Sequence, residues 1–293
     1  MLGEACALGA AMCWSMSLIL FKSSDEVSPL AMNLFKNVVA LLLLVVTMLA
    51  LGLGVDRARP LEDWLRLAVS GILGIAVADT LTFMALRRLG AGLLAVVDTA
   101  YSPTMVCLGV LALGERLSGG FLLGGGLVLA GVLVAVLERP ATVADVRERR
   151  FGIALGITGI LVMGLGVILS KPVVERSHLV EVSAIRLAAG VAAQLIWVGL
   201  VPSHREALAI LRPGPSWRRL GPAAFLSAYL SMLLWLGGFK WTSAATASVL
   251  NQLTTVFTIV LARIVLGEAL SRRRAAGAFV AASGALLVLL GRG

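Results

Sequence analysis

The chain has 293 residues, of which 59% are hydrophobic and only 14% charged, with 25 Lys and Arg against 16 Asp and Glu for a net charge of +9. A water-soluble protein of this size carries about 25% charged residues, so this chain cannot build a soluble surface; with a mean hydropathy of +0.98 it reads as a multi-pass integral membrane protein. Its basic residues are scattered through short loops instead of gathered on one face with interleaved aromatics, which argues against a nucleic-acid partner. Cys6, Cys13 and Cys107 show no paired spacing, so neither a disulfide framework nor a metal site is expected.

Crossing a hydrocarbon core of about 30 Å takes roughly 20 apolar residues per helix. Apolar runs fall at 5–21, 29–51, 65–86, 92–113, 120–137, 152–170, 180–201, 220–239, 244–266 and 275–291. The expected fold is therefore all-α, with ten transmembrane helices. Ser28 with Pro29, Ser118 and Ser271 stand where the second, fifth and tenth helices should begin, each offering an N-cap oxygen or an N1 proline. The first run follows Met1-Leu2-Gly3-Glu4 with no basic stretch before it and reads as a retained helix instead of a signal peptide. The longest polar segments, 138–151 and 202–219, are too short for extramembrane domains. Trp64 and Trp217 begin corresponding helices beside polar loops and read as interface anchors. Gly152 with Gly156, and Gly120 with Gly124, have the spacing of close helix packing.

The sequence repeats. Gly114-Glu115-Arg116-Leu117-Ser118 recurs as Gly267-Glu268-Ala269-Leu270-Ser271, a shift of 153 positions that also carries Trp64 to Trp217, Arg87 to Lys240, Asp98 to Asn251, Gly124 to Gly277 and Gly131 to Gly284. Shifts of 149 and 150 carry Lys22 to Lys171 and Lys36 to Arg186. The expected units are residues 1–138 and 152–293, joined by 139–151. Because each holds five helices, an odd number, the second enters the membrane inverted.

The Gly-Glu-Arg/Ala-Leu turn between the fourth and fifth helices of each half is followed by glycines nine and sixteen residues beyond the Glu. Trp14 lies in the first helix, and a basic residue lies a third of the way into the second helix of each half. With these features the chain resembles the EamA-like family of the drug/metabolite transporter superfamily over nearly its whole length. The resemblance implies a ten-helix carrier of small metabolites, often amino acids or related compounds, with its cavity at the interface of the halves. It departs from the pattern where Val256 stands in place of a second Pro103 and Met163 in place of a second Trp14.

Charges inside the apolar runs are few. Arg263 lies close enough to the Gly267 turn for its stem to reach the surface. Lys36, Asp79, Asp98 and Arg186 lie deeper, where an ionised group costs at least about 2.5–3.5 kcal/mol and normally faces the bundle interior. Counting eight residues from Ser28, Arg87 and Gly90 places Lys36, Asp79 and Asp98 in one layer, about 12 Å below the face opposite the termini. Lys36 can neutralise one of the two acids and leave the other for a proton, a cation or the positive group of a substrate. Arg186 lies about 12 Å from the other face, and its acid counterparts are replaced by Met232 and Asn251. It is suited to bidentate capture of an anion. Tyr101 and Ser102 share the Asp98 face, where Pro103 frees the Thr99 carbonyl and kinks the helix. Asn251 shares a face with Thr254 and Thr255; Ser227, Ser231 and Trp235 recur at helical spacing.

The function expected is secondary transport of a small polar or zwitterionic metabolite across a bacterial inner (plasma) membrane, with rocking of the two halves and a proton as candidate coupling ion. The expected substrate-binding set is Arg186, Lys36, Asp79, Asp98, Tyr101, Asn251, Ser231 and Trp235, with no catalytic residue, metal or cofactor. The rivals are a polytopic enzyme acting on a lipid-linked substrate and an uncoupled channel-like protein. Glu115 and Glu268 are expected to cap or brace their turns, and His178 and His204 have no partner that would suggest catalysis. Lys and Arg number 14 on the face opposite the termini against 8 on the termini face, which puts the termini outside; the resemblance implies the reverse.

Overall fold

A computed structural model describes residues 1–21, 27–136, 146–265 and 271–290, apart from the side chains of 29, 87, 90–93 and 95. Among these residues every regular element is helical. The spans are α1 (Leu2–Phe21), α2 (Leu30–Ala50), α3 (Leu61–Leu86), α4 (Val96–Leu113), α5 (Gly119–Ala135), α6 (Val146–Arg176), α7 (Leu179–Leu200), α8 (Trp217–Trp241), α9 (Ala244–Val265) and α10 (Arg272–Leu290). Nine are long and apolar enough to cross a bilayer, and α5 is apolar but shorter. Leu42, Val46 and Leu49 of α2 face outward while Ala40 and Leu44 are fully buried, the division expected between a lipid face and a packed interior.

The three expected N-caps form. Ser28 accepts from the Ala31 amide at 3.3 Å, Ser118 from Phe121 at 3.1 Å and Ser271 from Arg274 at 3.2 Å. Gly114 ends α4 in the left-handed region at φ 65°, a conformation that strains any residue with a Cβ. Both long polar segments hold more structure than their composition suggests. Helix α6 already begins at Val146, and Pro202–Leu211 is a 3₁₀ helix.

The chain is helical from Leu61 to Asp98, yet it reverses within that stretch. The Cβ position of Gly156 on α6 is 2.8 Å from Val97 and 3.7 Å from Ala85. In one straight helix those twelve residues would span about 18 Å. Hence α3 and α4 are antiparallel neighbours, both packed on the glycine-lined face of α6.

The two halves match feature by feature. Helix α3 contains π-helical turns at Ile72–Ala78 and α8 contains them at Phe225–Ser231, again 153 positions apart. Helix α4 breaks at Thr99 and Ala100, and α9 at Gln252 and Leu253, by the same shift. The second break forms with Val256 where the first half has Pro103, so proline suits this break without being its cause. Helices α5 and α10 pack face to face. Gly131 opposes Gly277 and Gly124 opposes Gly284, with Cβ positions 2.5–2.7 Å from the facing carbonyl oxygens. The repeat carries one pair onto the other in reversed order, the signature of a two-fold axis between antiparallel copies.

The two sequential halves meet by interlocking instead of packing as separate bodies. Helix α1 packs chiefly on α8 and α9, and α6 on α3 and α4. Helix α7 lies against α3, where the Gly71 Cβ position would be 2.0 Å from the Arg186 carbonyl oxygen. Two exchanged bundles result: α1, α2, α8 and α9 in one, and α3, α4, α6 and α7 in the other. They meet where α2 touches α7 and α4 touches α9. Glycine and alanine lie on the intimate contacts, so van der Waals proximity of backbones and not sequence adjacency decides the partners.

Candidate functional site

Lys36 from α2 and Asp79 from α3 form a salt bridge of 3.2 Å across the two bundles. The ammonium is buried, donates to Asn37 Oδ1 at 3.2 Å and lies 5.9 Å from the centre of the Trp14 ring. Asn37 donates on to Asn33 and to Gln194 of α7, at 3.2 and 3.1 Å, and Gln194 donates to the Ile75 carbonyl at 3.2 Å. That carbonyl belongs to the π-helical turns of α3, where the wider register leaves oxygens without regular helical donors. Lys36 thus selects Asp79 and leaves Asp98.

Asp98 is exposed although protein encloses it on most sides. It is the last residue before the break at Thr99 and Ala100, beyond which Pro103, Cys107 and Leu111 form an exposed stripe. Its carbonyl accepts from Gln252 of α9 at 3.0 Å; among the described residues its carboxylate has no ion-pair partner.

Arg186 of α7 is 3% exposed. Its Nε donates to Ser70 Oγ at 2.9 Å, and that hydroxyl donates to the Gly166 carbonyl at 2.6 Å. The guanidinium lies 5.9 Å from the ring centre of Trp235, whose indole N–H donates to the Tyr101 hydroxyl at 3.3 Å. No carboxylate pairs with Arg186 among the described residues. Its Nη2 lies 3.7 Å from the Gly74 Cβ position, and Asp79 follows five residues along the same helix. About 7 Å of helical rise therefore separates Gly74, beside Arg186, from Asp79, the partner of Lys36.

The remaining expected residues divide. The Asn251 amide nitrogen, like the hydroxyls of Ser102 and Thr258, is buried without a hydrogen-bond partner among the described residues. Ser231 instead donates to the Ala10 carbonyl at 3.0 Å and ties α8 to α1, while Ser227 bonds within α8. Arg263 is exposed near the end of α9. Glu115 caps the start of α9 instead of its own turn, bonding the amides of Ala244 and Ala245. Glu268 and Lys22 lie outside the described residues.

Sequence reading missed Ser70, Asn33, Asn37, Gln194 and the cation–π role of Trp14. Asn33 and Asn37 carried a signal, being amides one turn apart beside Lys36 in an apolar run. Nothing in the sequence marked Ser70, because its role depends on α3 touching α7.

The salt bridge makes a prediction. Lys36→Met leaves the half-buried Asp79 without its partner, and Asp79→Asn leaves the buried Lys36 without one; breaking a fully buried pair costs about 3–5 kcal/mol, and the partial exposure of Asp79 lowers that for Lys36→Met. Both single variants are expected to lower the melting temperature, and Lys36→Met/Asp79→Leu is expected to recover much of the loss in a thermal-unfolding measurement.

A ten-helix inverted repeat with charged and amide side chains at mid-depth defines a membrane carrier by class. The family profile of EamA-like transporters matches residues 1–137 and 150–290. The chain belongs to the EamA-like transporter family. Among solved structures, one described only as a crystal structure of a protein superposes with a TM-score of 0.83 at 20% identity, covering 98% of this chain and 96% of that one. At that identity the likeness concerns the fold alone. No curated protein matches the sequence.

Proposed function

We propose that this transporter carries a small zwitterionic metabolite, with its carboxylate on Arg186 and its ammonium group on Asp98. The observation that carries this reading is the division of the four deep charges. Lys36 and Asp79 neutralise each other, whereas among the described residues Arg186 and Asp98 have no ionic partner; Arg186 lies against Trp235, which bonds Tyr101, three residues beyond Asp98. A zwitterion between them would leave the buried site with no uncompensated charge, which a low-dielectric interior requires. Asn251 adds an orphan donor to the wall, and the aromatic pair offers an apolar surface to the substrate's body. Lys36 and Asp79, bridging the bundles above this site, contribute to its closure, and a proton taken up by Asp98 would stand in for the substrate's ammonium during the empty return.

Transport then follows from rocking of the two exchanged bundles about the site, exposing it to one face at a time. A bacterial inner membrane is the proposed location. The competing enzymatic reading needs an acid–base pair free to act at a membrane surface, whereas the described charges at helix ends are engaged in ion pairs and helix caps.

The test is a thermal-shift panel of amino acids together with their N-acetyl and methyl ester derivatives, followed by counterflow in proteoliposomes. A zwitterion site stabilises with the parent compounds and loses most of the shift when either charge is removed. Equal shifts from parent and derivative would refute it, and absence of trans-stimulation by a stabilising compound would favour a channel over a carrier.

A further inference from the structure

On the termini face, three charged side chains reach from one bundle to the backbone of the other. Lys171 of α6 donates to the carbonyls of Phe239 and Thr242 at the end of α8, at 2.7 and 3.3 Å. Lys240 of α8 donates to the Val174 carbonyl at 2.9 Å and to the Ser177 carbonyl, both at the end of α6. Each helix therefore caps the other's C-terminus, where the last carbonyls have no intrahelical donor and the macrodipole favours a cation. Glu115, at the end of α4, meets the opposite end of a dipole: it accepts from the Ala244 and Ala245 amides of α9 at 2.6 and 3.0 Å. Above these bonds lies an open cleft of about 450 Å³ lined by Leu113, Glu115, Lys171, Glu175, Lys240 and Ser243, among others.

Two features mark this cluster as more than ordinary capping. All three side chains cross the boundary between the bundles, and each uses a full charge where a glycine or a short polar side chain would cap a helix end. A charged link gives back much of its electrostatic gain as lost hydration, so it can be exchanged for water at small net cost. Such a bond suits a contact that must open and close. We propose that Lys171, Lys240 and Glu115 form the latch that holds the termini face shut, and that this latch dissolves when the bundles rock to open that face. The proposal rests on the alternating-access reading, since a channel has no such second closed state.

The test uses the full chain in nanodiscs, with Cys6, Cys13 and Cys107 replaced by alanine and a membrane-impermeant maleimide as the probe. Ala244→Cys reports the termini side, where Ala244 is fully buried, and Thr255→Cys reports the half-buried middle of α9, eleven residues further toward the opposite face. Lys171→Met/Lys240→Met is expected to speed labelling at Ala244→Cys about tenfold and to slow it at Thr255→Cys, because opening one face closes the other; tenfold corresponds to about 1.4 kcal/mol. Lys171→Arg/Lys240→Arg keeps both charges and should label like the parent. Glu115→Gln, a milder change, should shift both rates in the same directions by a smaller factor. Unchanged rates in the methionine variant would overturn the latch, and so would faster labelling at both positions, which would mark a general brace of the fold. Neither failure touches the carrier reading, because counterflow by the unmodified protein is measured separately.

Discussion

Arg186→Ala is expected to lower the affinity for the stabilising zwitterion by about a hundredfold while the protein still inserts and elutes as a single species. A guanidinium anchors a carboxylate through two charge-assisted hydrogen bonds, each contributing roughly 1.5–3 kcal/mol. Nothing in the protein offsets the loss, since Ser70 and Trp235 hold the arginine in place but supply no cation. The decisive comparison is with the methyl ester. Because the ester has no carboxylate for Arg186 to hold, its residual affinity should be nearly the same in Arg186→Ala as in the parent, so that the two changes are strongly non-additive. Asp98→Asn should show the same pattern against the N-acetyl derivative, with a smaller loss of about tenfold, because Asp98 is exposed whereas Arg186 is buried. Isothermal titration or thermal-shift titration of the four protein–ligand combinations in each cycle measures both. Additive losses would remove Arg186 and Asp98 from contact with the substrate's charges.

The second large effect concerns the axis between the repeats. Gly131→Leu is expected to abolish recovery of folded protein, because its Cβ position lies 2.4 Å from the Ala281 nitrogen and 2.5 Å from the Gly277 oxygen. Both obstacles are backbone, so neither can rotate away, and the helices must separate along a seam that glycines hold closed at two levels. Gly284→Leu, facing the Gly124 oxygen at 2.6 Å and the Val128 nitrogen at 2.6 Å, should fail in the same way. The control is Gly126→Leu in the same helix, whose Cβ position has no atom within 4 Å and should be tolerated. Size-exclusion profiles of detergent-solubilised protein distinguish these cases. Normal elution of Gly131→Leu would mean that α5 and α10 do not form the close contact.

Much of this architecture was legible in the sequence because bilayer thickness and helical rise fix span length, and because serine caps and the Gly-Glu turn punctuate the spans. The repeat was legible as a register of 153, since inverted copies keep their residue order even as they change direction. The layer containing Lys36 and Asp79 was legible too, because depth in a membrane can be counted along a helix from its end. Tertiary structure alone decided which acid Lys36 takes, since counting gives depth but not azimuth, and Asp79 and Asp98 share the same depth. It alone showed that the halves exchange helices, placing Ser70 under Arg186 and Trp235 beside Tyr101. Helix partners in a membrane are chosen by the fit of small residues over whole surfaces, and that fit is a property of two helices at once, which no single stretch of sequence contains.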